Sequence, residues 1–169
     1  MRVRRLTRGA LLTTIALTIF MLEAQIPAPV PIPGIKLGLA NIVTLWALFS
    51  LGPWDALGIL LARTFLGSLF SGQMMTLLYS LAGGLLCWAV GCGLRRLLTL
   101  RQMWLCGILG AMAHNIGQMA VAVALTGTWG LLAYLPVLMV TGAAAGAFTG
   151  LAARFLAERL DGSGGGKVH

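Results

Sequence analysis

Arg63, in Leu60-Leu-Ala-Arg-Thr-Phe-Leu-Gly67, places a guanidinium inside an apolar stretch. Counting about 1.5 Å per residue from an interface near Trp54 puts it roughly 14 Å deep in a bilayer. A charge there costs at least about 2.5–3.5 kcal/mol on insertion scales, so it should face the interior and have a partner. One partner is Glu23, on the outer half of the first apolar segment. The other is an anionic or polar ligand, and both hold if ligand and glutamate share the guanidinium. Snorkelling toward the interface is the third option.

Other polar groups recur in the apolar segments and at their outer ends. Lys36 follows a proline run at the outer mouth, either solvated at a helix start or turned to a ligand. Asn41 falls on one helical face with Gly34 and Gly38, suited to an interhelical hydrogen bond or to ligand contact. In Ala113-His-Asn-Ile-Gly-Gln118, His114 and Gln118 stack at one turn's spacing, with Asn115 beside them. His114 reads as a neutral core histidine before a proton relay. Taken together, Glu23, Lys36, Asn41, Arg63, Asn115 and Gln118 exceed what helix packing requires. They predict a polar pocket in the outer half of a membrane bundle.

Catalytic signatures are missing, and no cofactor or metal is expected. No glycine-rich phosphate loop precedes a lysine and serine. Asp55 and Asp161 are the only aspartates, too few for a paired-aspartate magnesium site. No histidine–cysteine–carboxylate set supports a metal or a nucleophile. Cys87, Cys92 and Cys106 all lie in apolar segments and read as small buried hydrophobes. The chain reads as a binding protein, not an enzyme.

The elements that must position these groups are membrane helices. The 169 residues are 59% hydrophobic and 9% charged, with mean hydropathy +0.92, whereas soluble domains carry about a quarter charged residues. Six apolar segments follow: about 9–24, 35–51, 56–71, 73–94, 102–125 and 131–160. Residues 1–160 form one domain and 161–169 a flexible tail. The amino terminus reads as a retained first helix, since no cleavage site interrupts its apolar run. Between the first two segments, Pro27, Pro29, Pro31 and Pro33 force extended backbone, a stiff cap at the bundle mouth. With both termini in the cytoplasm, six crossings put ten of the twelve basic residues inside, leaving Lys36 outside and Arg63 within a span. The net charge of +8 is thus a matter of topology, and no basic patch with interleaved aromatics suggests nucleic acid. Gly142, Gly146 and Gly150 in the sixth segment, and Gly107, Gly110 and Ala111 in the fifth, let helix backbones approach closely, for packing within the chain or for docking a partner.

The run from Glu23 to Asn41, then Ala62-Arg-Thr-Phe-Leu-Gly67, Leu81-Ala-Gly-Gly84 and Ala113-His-Asn-Ile-Gly-Gln118, resembles the bacterial Gx transporter family. Its members are often labelled heptaprenyl diphosphate synthase component I. That family is similar to the substrate-binding S components of energy-coupling factor (ECF) vitamin importers. The resemblance implies an all-α, six-helix bundle in the bacterial cell membrane, with a solute pocket near the outer face beneath the first loop. Lys36, Asn41, Arg63 and Asn115 become candidate contacts. It also implies lateral docking on a transmembrane coupling protein driven by two cytoplasmic ATPases. Where S components carry an alanine-x-x-x-alanine stripe in the first helix, this chain reads Ala10, Thr14, Thr18. The alternative expectation is a non-catalytic membrane component of polyprenyl diphosphate synthesis, with a diphosphate near Arg95, Arg96 and Arg101.

Overall fold

The computed structural model describes residues 2–23, 25, 38–72 and 74–160, with backbone alone at 2, 4, 74 and 76. Lys36, the prolines at 27–33 and the 161–169 tail lie outside the described residues. Among those described are six α-helices: α1 (Arg2–Glu23), α2 (Asn41–Ser50), α3 (Pro53–Ser71), α4 (Met74–Leu94), α5 (Met103–Thr126) and α6 (Leu135–Leu160). Short 3₁₀ turns, Leu100–Gln102 and Trp129–Tyr134, lead into α5 and α6. Four of the helices are long and apolar enough to cross a membrane.

The ends of the elements follow from local chemistry. Gly52 has φ 121°, a conformation that side chains resist, and Pro53 then opens α3 with its fixed φ. Asp55 in the first turn suits the positive end of the helix dipole.

Helix directions can be read from contacts. α1 and α3 run side by side in the same direction, with Arg5 ion-paired to Asp55 at 2.8 Å at one end. Toward the other end, the Phe20 ring packs on Gly67. α4 and α5 are antiparallel: Gly83 faces the His114 carbonyl, Gly110 faces the Cys87 thiol and Gly91 lies near Cys106. α5 and α6 are antiparallel and closer still. Gly107 and Gly146 each meet the other's carbonyl, and a Cβ on Gly150 would stand 2.6 Å from Trp104 Cα. The glycine stripes therefore serve packing within the chain. α2 sits against α1, α3, α4 and α6, and its Val43, Ala47 and Leu48 join Ile59, Met103 and Ala153 in the core.

The outer surface is apolar. Phe65 and Phe148 are 57% and 60% exposed, while Glu23 and Arg63 are 5% and 6% exposed. A protein in water sorts these groups the other way, so apolar exposure with charged burial fits a lipid surround.

The expected second helix, 35–51, is shortened in the described residues to Asn41–Ser50. Gly38 was expected on Asn41's helical face, but it has φ 72° and stands outside the helix. Its carbonyl accepts from the Asn41 N–H at 2.8 Å, closing a turn ahead of α2. The left-handed conformation frees the Gly38 N–H from helical pairing and turns it to a side chain of α1.

Candidate functional site

That side chain is Glu23. Its Oε1 accepts from the Gly38 N–H, so the last residue of α1 ties down the turn that starts α2. Three residues on, Asn41 Oδ1 accepts from Arg63 Nη2 at 2.6 Å. Arg63 lies ten residues into α3, about 15 Å along its axis. Asn41 reaches it because α2 and α3 are antiparallel neighbours joined by a tight turn. Among the described residues the ion pairs are Arg5–Asp55 and Arg154–Glu158. Glu23 and Arg63 therefore do not touch, although the carboxylate attracts the guanidinium across the space between them.

That space is a cavity of about 60 Å³. Glu23, Asn41, Arg63, Asn115 and Gln118 all line it, with Gly38 and His114. Five of the six residues singled out from the sequence thus meet in one place, and the sixth, Lys36, is outside the described residues. The guanidinium is not saturated: Arg63 Nε is buried without a hydrogen-bond partner. An unpaired N–H of a buried cation costs about 1–3 kcal/mol or more, so an acceptor in the cavity would be strongly held.

Asn115 has a structural bond as well. Its Nδ2 donates to the Leu138 carbonyl of α6 at 2.6 Å, an interhelical link. Gly142 permits it, because a Cβ there would collide with the Asn115 amide. Gln118 packs its stem on Gly83, and its amide makes no hydrogen bond among the described residues.

Thr64, Ser80 and Thr149 also line the cavity and were missed in the sequence. Thr64 adjoins Arg63, but Ser80 and Thr149 had only a hydroxyl in an apolar helix to mark them. Thr149 bonds the Gly146 carbonyl of its own helix at 3.1 Å, as hydroxyls in apolar helices commonly do.

The fold and this site define an α-helical membrane protein with a polar, cation-bearing pocket in its interior. Residues 12–156 match the family described as heptaprenyl diphosphate synthase component I, and the chain belongs to it. Comparison with curated proteins and with solved structures finds no match.

Proposed function

We propose that this chain is the substrate-binding membrane subunit of an ECF-like importer, capturing a small solute and relying on partner proteins for energy. The observation that carries the reading is the buried Arg63 guanidinium, with Nε unpartnered, on a cavity shared with Glu23, Asn41, Asn115 and Gln118. A purely structural arginine at this depth would have its donors filled by protein.

Sidedness follows the positive-inside rule. Arg5, Arg8, Arg95, Arg96, Arg101 and Arg159 cluster at the end where α1 begins and α6 finishes, which faces the cytoplasm of a bacterial cell. The pocket then lies toward the outside, at the end of α1 that carries Glu23. Lateral docking has a surface to use. A groove of about 1220 Å³ runs between α1 and α3, lined by Ala10, Thr14, Gly58 and Ala62 among others. Thr14 and Thr18 bond carbonyls of their own helix, so their hydroxyls need no partner on a helix of the coupling protein, itself driven by cytoplasmic ATPases.

The test is mass spectrometry of small molecules retained by the gently purified protein and by Arg63→Ala. A molecule kept by the first and lost by the second supports capture. Retention unchanged by Arg63→Ala in a folded protein refutes it.

The family description favours a second reading, a non-catalytic membrane component of heptaprenyl diphosphate synthesis. Arg101 and Arg154 approach each other, with Arg154 Nη1 donating to the Arg101 carbonyl at 3.4 Å. Arg154 is paired with Glu158, so a diphosphate would rest on Arg101 with Arg95 and Arg96. Adding the chain to a soluble polyprenyl synthase and measuring product length tests it.

A further inference from the structure

We propose that the solute is a small zwitterion: an aliphatic amino acid with a side chain of one or two carbons. Its charged end lies between Arg63 and Glu23, and its tail enters a second cavity. This rests on the capture reading and names the class of solute.

Charge balance comes first. Arg63 and Glu23 face the same small cavity without touching, so among the described residues their formal charges cancel. A simple anion on Arg63 would leave an extra buried negative charge, and a simple cation on Glu23 an extra positive one. Either is heavily penalised away from water. A zwitterion adds no net charge and offers each residue its opposite. Arg63 presents Nε to a carboxylate, in the fork geometry that guanidinium provides. One oxygen of Glu23 is taken by the Gly38 N–H. The carboxylate lines the cavity, where its other oxygen can accept from an ammonium.

The second cavity sets the tail. It measures about 40 Å³ and shares Asn41, Ala111 and Thr149 with the polar one as common walls. Its remaining lining is chiefly apolar, including Leu48, Leu60, Cys87 and Trp88. A water takes roughly 30 Å³ in the liquid, so this space suits one or two carbon groups. The polar cavity, about 60 Å³, is the larger of the two and carries both Arg63 and Glu23, so it receives the charged end. A polar and an apolar chamber with three wall residues in common match a solute with charges at one end and a short hydrocarbon at the other.

The experiment is calorimetric titration of the full chain in nanodiscs with glycine, alanine, 2-aminobutyrate, norleucine, butyrate and propylamine. Affinity should rise about fourfold per added carbon from glycine to 2-aminobutyrate, then fall at norleucine. Butyrate and propylamine, each lacking one charge, should bind at least tenfold more weakly than 2-aminobutyrate. Glu23→Gln should bring butyrate level with 2-aminobutyrate, and Cys87→Met should weaken 2-aminobutyrate more than glycine. Butyrate matching 2-aminobutyrate on the unaltered chain overturns the proposal. So does a flat series, or failure of every amino acid to bind folded protein. A retained molecule that depends on Arg63 but carries a single charge sinks the zwitterion and leaves capture standing. Retention indifferent to Arg63 sinks capture itself.

Discussion

Arg63 Nη2 donates to Asn41 Oδ1 at 2.6 Å, joining the middle of α3 to the first residue of α2. The bond holds a buried cation with a neutral partner, leaving its charge for a solute. Asn41→Ala strips a donor of its acceptor, and hydrogen bonds to charged groups are worth about 1.5–3 kcal/mol. We expect thermal stability in nanodiscs to fall by that amount and solute affinity to fall at least tenfold. Asn41→Asp should keep stability within about 1 kcal/mol, since a carboxylate accepts the same bond, but should abolish solute binding by neutralising Arg63. Calorimetry on both variants separates the two effects.

Gly38 is the second point of leverage. At φ 72° a side chain is strained, and a Cβ would stand 3.1 Å from Asn41 Nδ2. Gly38→Ala should cost about 1–3 kcal/mol and loosen the bond to Glu23. Gly38→Asn, better suited to the left-handed region, should retain more stability. Denaturation curves of the two variants check the order.

The α5–α6 seam permits a cycle. Gly142→Ala forces a methyl into the Asn115 amide and should destabilise by about 1–3 kcal/mol. Asn115→Ala loses the bond to Leu138 but makes room. The double variant should therefore be less destabilised than the sum of the singles, by 0.5 kcal/mol or more on the scale of coupled neighbours. Additive effects would show that the two do not meet.

The α1–α3 groove can be filled without touching the pocket. Gly58 faces open space, with nothing near its missing side chain. Gly58→Leu should leave solute affinity within twofold, an effect below about 0.5 kcal/mol. It should still stop uptake by cells that carry the coupling protein and ATPases. Full uptake by this variant would remove the groove from the docking role.

Sidedness is open to chemistry. In a chain whose native cysteines are replaced, Thr99→Cys, before the turn into α5, should resist a membrane-impermeant thiol reagent added outside cells. Thr128→Cys, beyond α5, should react. Labelling of both or neither contradicts the assigned orientation.

Much of this was legible in the residues. Composition alone dictates helices in lipid, because an apolar chain of this kind must satisfy its backbone internally. Arg63 stood out because charge at mid-membrane is costly, and the glycines at four-residue spacing marked faces for close helix contact, though not that α5 and α6 meet each other, because only small residues allow such an approach. The start of α2 was less legible: periodicity cannot register a single left-handed glycine, so Gly38 was read into the helix. Ser80 and Thr149 were invisible because a lone hydroxyl can bond its own helix anywhere along it.

The sequence by itself pointed to a membrane helix bundle of this family with more polar residues in its apolar segments than packing needs. Only the tertiary structure decided which of them meet. Glu23, Asn41, Arg63, Asn115 and Gln118 come from four helices, and their convergence depends on helix rotation and crossing. Those are set by the packing of glycines against backbone, a property of pairs of helices that no single segment encodes. The same packing left Glu23 and Arg63 apart across a cavity, where depth alone allowed them to pair.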